Sequence, residues 1–195
     1  MYYHASRTPG LSVLRPHVSN HGRALVYLSA RRENTLVYLS NAVELHCQRI
    51  GFAHAGAYHT WASYGFGPDG RLRLQEYYPG ALPETYEGVD GYIYAAHSAP
   101  GCAEQPDIPY AFWTRREVPV DACEYVPDAY EEILRAAAEK KIVVERYEEL
   151  TETMRGWIAR TVRQEYESAA GQPEYQVFLR DKFHLESIET EGKKK

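Results

Sequence analysis

Up to about residue 126 the chain never stays apolar for more than a few residues before glycine, proline or charge interrupts it; beyond that point the apolar spacing becomes helical. Short β-rich segments between turns each bury one sheet face, whereas three-to-four-residue spacing buries a stripe along a helix. A chain written this way folds as strands followed by helices, the α+β class. Residues 1–6 predict an opening strand closed by Thr8-Pro9-Gly10, and residues 24–29, bounded by Gly22, predict a buried one. Residues 11–16 read as a short extended piece, and Phe66-Gly67-Pro68-Asp69-Gly70 as a hairpin turn into a strand over 71–77. Further strands are expected at 90–96 and at 111–120, the latter broken by Pro119, with a proline-rich loop at 100–109 between them.

Helices are expected at three places. Leu36, Leu39, Val43 and Cys47 predict one helix over 31–49, stopped by Gly51. Asp128 caps a second that runs to residue 140, and a third covers about 147–169, with Ile142-Val143-Val144 as a linker. One helical turn is expected within 79–88, and Gln176-Val177-Phe178-Leu179 is expected to dock back. This reading divides the chain into a domain over 1–126, a helical extension over 127–188 and a disordered tail over 189–195.

Composition limits the function. No apolar run is long enough to span a membrane, and Met1-Tyr2-Tyr3-His4 shows no basic and apolar leader pattern. Cys47, Cys102 and Cys123 are an odd, widely spaced set that suits reduced thiols in a cytosolic protein. The net charge of −5 argues against a protein that coats nucleic acid, but it is unevenly spread. Residues 1–68 hold six arginines and two acids, while residues 69–195 hold 16 basic and 25 acidic residues. An anionic ligand is therefore expected at the front of the chain. The spacing of His46, His54 and His59 predicts no metal site, and Cys47 reads as core.

Three features carry chemistry together. They are His4-Ala5-Ser6 at the end of the first strand, Tyr27-Leu28-Ser29 followed by a helix with Thr35-Leu36-Val37-Tyr38, and Glu117 in a late strand. In this order they resemble the His-Tyr-Glu branch of the ADP-ribosyltransferase superfamily, which includes poly(ADP-ribose) polymerases and diphtheria toxin. Tyr3-His4-Ala5-Ser6-Arg7 resembles the family's His-Gly-Ser/Thr strand, with Ala5 in place of glycine. The segment 22–38, with Tyr27 and Tyr38 eleven residues apart, resembles its tyrosine strand and following helix, although Arg23 and Leu25 stand where that motif has glycines. Tyr92-Ile93-Tyr94 and Thr114-Arg115-Arg116-Glu117-Val118 resemble the downstream strands of small bacterial members that modify rifampin.

The resemblance covers residues 1–126 and implies a split antiparallel β-sandwich, here with a C-terminal helical extension. It implies NAD as substrate, transferred as ADP-ribose to a protein, nucleic-acid or small-molecule acceptor, or to water. His4, Ala5, Ser6, Tyr27, Thr35 and Tyr38 would hold NAD, with Tyr27 and Tyr38 around nicotinamide and Arg7, Arg23 or Arg31 at the pyrophosphate. Glu117 would be the catalytic acid, with Glu104 and Asp107 in the preceding loop as alternatives. An NAD-dependent RNA 2′-phosphotransferase-like activity, gripping phosphate through Arg7, Arg115 and Arg116, is a second expectation. A non-catalytic nucleotide- or protein-binding module is a third. None of these readings calls for a metal or a membrane.

Overall fold

The computed structural model describes residues 1–18, 22–54 and 64–185. The chain opens with β1 (Tyr2–Ser6), β2 (Val13–Leu14), β3 (His17–Val18) and β4 (Ala24–Ser29), then a 3-10 helix (Glu33–Tyr38) and α1 (Ala42–Ile50). Strands β5 (Tyr64–Phe66) and β6 (Leu72–Gln75) precede α2 (Ala81–Tyr86). Next come β7 (Gly91–Ala96), β8 (Ala103–Glu104), β9 (Ala111–Thr114), β10 (Val118–Pro119) and β11 (Ala122–Val126). The chain continues through α3 (Ala129–Ala138), β12 (Ile142–Glu145), a 3-10 turn (Tyr147–Glu149), α4 (Glu152–Ser168) and α5 (Pro173–Phe183). The class is mixed α+β. Residues 189–195, expected to be disordered, lie outside the described residues.

Seven strands form the main sheet, in the order β11-β7-β1-β4-β9-β8 with β3 paired to β4 off that row, and all its ladders are antiparallel. β2 and β10 make a small antiparallel ribbon, and β12-β6-β5 a second sheet in which β12 runs parallel to β6. Ile142-Val143-Val144 is therefore a strand rather than a linker. Its three β-branched or apolar residues suit a pleated, half-buried surface better than a turn.

The expected helix over 31–49 is two elements. Asn34, Thr35 and Val37 are weak helix formers, and Leu39 and Asn41 leave helical geometry at φ −89°, ψ 71° and φ −151°, ψ 31°. The 3-10 helix therefore ends at Tyr38 and α1 starts afresh. Strand β11 had no apolar signature: four of its five residues are exposed, yet it pairs with β7 at five positions. Asp128 does cap α3, accepting from the Tyr130 and Glu131 N–H groups at 2.8 and 3.1 Å.

One core cluster joins Ala5, Leu36 and Ile93 to Leu72 and Leu74 of β6, Ile133 of α3 and Ile142 of β12. A second joins Val43 and Cys47 of α1 and Ala81 of α2 to Ile158, Val162, Phe178 and Leu179 of the C-terminal helices. The residues after 126 thus share their apolar interior with the strands before it. Phe178 and Leu179 are fully buried, so the docking expected of 176–179 is met as part of α5.

A buried carboxylate fastens these parts. Glu76, 2% exposed, accepts from the Leu82 N–H at 3.0 Å, Arg146 Nη1 at 3.2 Å and the Tyr147 N–H at 3.2 Å. It ties the end of β6 to the start of α2 and to the segment that follows β12. Removing one partner of a buried pair leaves the others desolvated and unpaired. Glu76→Ala is expected to lower stability by about 3–5 kcal/mol in urea unfolding; a loss below about 1 kcal/mol contradicts this assignment.

Candidate functional site

β1 lies between β7 and β4 but is joined to them unequally. It pairs with β7 at five positions, from Tyr2↔Ala96 to Ser6↔Tyr92, and with β4 at Tyr3↔Ser29 alone. β4 meanwhile stays with β9 from Ser29↔Ala111 to Val26↔Thr114. The sheet opens where β1 follows β7 and β4 follows β9. On the other edge of β1, Gly91 at the start of β7 allows a close approach: a Cβ there would lie 2.5 Å from Leu39 Cδ2 and 3.2 Å from the Ser6 carbonyl oxygen.

His4 spans the opening. Its Nδ1 lies 2.9 Å from the Tyr27 carbonyl oxygen. A carbonyl only accepts, so Nδ1 carries the hydrogen. Burial lowers the His4 pKa, nearby His17 adds to this, and the bond to Tyr27 offsets only part of it. The ring is then neutral at pH 7, and Nε2 presents a lone pair suited to a ligand hydroxyl.

Tyr27 is half-buried, opposite Trp113 across the β4–β9 ladder. Tyr38, at the end of the 3-10 helix, is 49% exposed. Its ring meets Tyr64 edge-on, with centroids 6.3 Å apart and hydroxyls 3.4 Å apart. Desolvation around its hydroxyl, then Tyr64 and Tyr27, raise the Tyr38 pKa, so the phenol stays protonated at neutral pH. The structure thus joins His4 to the Tyr27 backbone and Tyr38 to Tyr64. Sequence reasoning passed over Tyr64 and Trp113, whose one signal was the density of aromatic residues.

The other expected ligand residues have structural tasks. Ala5, 7% exposed, packs its methyl into the core with Leu36 and Ile93. Ser6 Oγ accepts the Thr8 N–H at 3.1 Å and closes the turn after β1. Thr35 is buried and donates its hydroxyl hydrogen to the Arg32 carbonyl at 2.7 Å, so that hydrogen is committed within the 3-10 helix. Arg7 reaches Glu44 at 3.5 Å, whereas Arg115 lies over the Trp113 ring at 5.9 Å and Arg116 lines Gly101. Arg31 stacks 3.9 Å from the centre of the Tyr110 ring and donates to its hydroxyl at 2.8 Å.

The three candidate acids occupy different places. Glu117 lies past Thr114, beyond the end of the ladder at Val26, and accepts from Arg15 at 3.1 Å with both side chains exposed. It is not part of the tyrosine group. Glu104 pairs with Phe112, which faces Leu28, and so lies on the sheet face opposite to Tyr27 and Trp113. Asp107 is exposed in the turn closed by the Ile108 N–H to the Gln105 carbonyl and the Ala111 N–H to the Ile108 carbonyl. That turn leads into Tyr110 and to the Ala111↔Ser29 end of the ladder, the end from which the chain runs on to the 3-10 helix.

His46 meets Asp181 Oδ2 at 3.0 Å and joins α1 to α5; His59 lies outside the described residues. Burial works against the Asp181 charge, but hydrogen bonds from His46 and Arg180 outweigh it and hold the pKa below the usual carboxylate value. Among the described residues no group of three His, Cys, Asp or Glu side chains is arranged around a metal position, and no helix is long and apolar enough to cross a membrane.

No family model matches the chain, and neither the curated proteins nor the solved structures contain a match to it.

A His4 that is neutral with hydrogen on Nδ1 has a measurable signature. Its folded pKa lies below the unfolded value of about 6.5, so acidification through that window protonates the unfolded chain first and costs stability. Nitrogen-15 NMR is expected to show the Nδ1–H tautomer at pH 7 and a titration midpoint below 6.5. A midpoint above 7 contradicts the assignment.

Proposed function

We propose that the chain binds NAD at the opening between β1 and β4 and cleaves its nicotinamide–ribose bond, as an ADP-ribosyltransferase or, with water as acceptor, an NAD glycohydrolase. The observation that carries this reading is the His4 bond to the Tyr27 carbonyl where the two strands part, with Tyr38 at the end of the 3-10 helix that follows β4. The opened antiparallel sheet supports an ADP-ribosyltransferase-like split sandwich, in which the helices after residue 126 share the core.

The chemistry follows from the groups available. Tyr27 and Tyr38 give nicotinamide two aromatic surfaces and fix its orientation at low entropic cost. His4 Nε2 accepts a ribose hydroxyl. Bond cleavage places positive charge on the nicotinamide-side ribose, so a carboxylate beside it stabilises the transition state more than the ground state. We assign that role to Asp107, since Glu117 is turned to Arg15 and the Asp107 turn leads to the Ala111↔Ser29 end of the ladder, from which the chain runs on to the 3-10 helix. Arg31, stacked on Tyr110 at the end of the Asp107 turn, is the arginine best placed for the pyrophosphate. The phosphotransferase alternative draws less support, because Arg7 and Arg115 are engaged on different elements.

Nicotinamide release from NAD tests the assignment. His4→Ala and Tyr38→Ala are each expected to reduce it by about 10²-fold or more, and Asp107→Asn by about 10³-fold. Glu117→Gln is expected to leave it within about twofold, as loss of an exposed ion pair should. Release that depends on Glu117 and not on Asp107 returns the acid to Glu117. Failure of the wild-type chain to bind NAD overturns the proposal.

A further inference from the structure

Next to the tyrosine group lies a groove of about 350 Å³, between the β12-β6-β5 sheet and α4. This is at the lower end of the range for small-molecule sites. Its walls are aromatic and soft: Tyr64 from β5, Tyr77 after β6, and Met154 with Trp157 one turn apart on α4. Trp157 is 44% exposed and stands edge-on to Tyr77, with centroids 6.0 Å apart at 89°. Gly65 lines the same groove, and among the described residues nothing lies within 4 Å of where its Cβ would be.

The polar groups are few and electrically balanced. Arg73 Nη1 lies 3.6 Å from Glu145 Oε1, and Gln75 Nε2 donates to Glu145 Oε2 at 2.7 Å. Arg73 keeps guanidinium donors beyond the one facing Glu145, and Gln75 keeps its carbonyl oxygen as an acceptor. Because Glu145 already matches the Arg73 charge, the groove suits an uncharged guest better than a phosphate. Stacking surfaces with donors and an acceptor at one edge fit a planar heteroaromatic ring of the nucleobase class. Tyr64 belongs to both places, since it lines the groove and its hydroxyl lies 3.4 Å from that of Tyr38.

We infer that this groove holds the acceptor as a neutral, planar heteroaromatic ring such as a free nucleoside base; the acceptor role rests on the NAD reading above. In the transfer, a ring or exocyclic nitrogen of the acceptor donates its lone pair to ribose C1′. Nicotinamide leaves with the pair of the broken bond as a neutral molecule, and the proton displaced from the acceptor nitrogen passes to water.

Saturation-transfer NMR with the full chain, using guanosine and adenosine as probes without NAD, tests the groove directly. Binding of at least one nucleoside is expected. Trp157→Ala should weaken it at least tenfold, as should Gly65→Leu, which fills open space and so spares the fold. Tyr38→Ala should leave it within about twofold, which separates failure of the groove from failure of the NAD site. No binding of either nucleoside, or binding unchanged in both groove variants, overturns the inference. Tighter binding of a short single-stranded oligonucleotide than of the free nucleoside overturns the neutral-guest assignment. If the nucleoside binds as described but no NAD is cleaved, the groove stands and the acceptor role falls.

Discussion

The parting of β1 from β4 is the constraint on which the candidate site depends. A strand in mid-sheet normally has both edges paired, because an unpaired backbone group away from water costs about as much as a lost hydrogen bond. Here β1 keeps β7 along its length and β4 at one position. The His4 ring fills part of the gap by donating to the Tyr27 carbonyl. That bond satisfies a backbone oxygen, sets the imidazole tautomer and turns Nε2 into an acceptor. A structural repair and a ligand-ready group are the same side chain.

The surroundings hold this opening in place. The 3-10 helix packs Leu36 against Ala5 and Ile93, while Arg32 donates to Glu124 at 2.9 Å and to Glu132 at 3.0 Å, tying the helix to β11 and α3. Glu76 secures β6, α2 and the segment after β12 with three hydrogen bonds to one buried carboxylate. α4 and α5 cover the other side of α1 and put Trp157 and Met154 over the second sheet. The C-terminal helices thus do more than pack: they supply a wall of the groove beside Tyr64.

Much of this was legible in the residues, for identifiable reasons. Strands β1, β4 and β7 and the Asp128 cap stood out because each combines β-rich or capping residues with a clear boundary. The order of His4 and Tyr27 along the chain singled out two residues that the structure joins through the Tyr27 carbonyl. Strand β11 was hidden because an exposed strand has no apolar alternation to read, and β12 because a four-residue parallel strand looks like a linker without its partner β6. The surroundings of Glu117 were hidden for a related reason. Glu117 follows an arginine pair in a strand-like run, but the register carries it past the end of the β4–β9 ladder and into a pair with Arg15. Ala5, which stood out as a departure from glycine, is a core methyl, a fact that depends on the neighbours brought by tertiary packing.

The position of a bound nicotinamide ring tests the central claim most directly. A crystal structure of the chain with a non-hydrolysable NAD analogue should show that ring against Tyr27 and Tyr38, with a ribose hydroxyl within about 3 Å of His4 Nε2. A ring bound elsewhere, or a His4 Nε2 that faces away from the ligand, would contradict the account.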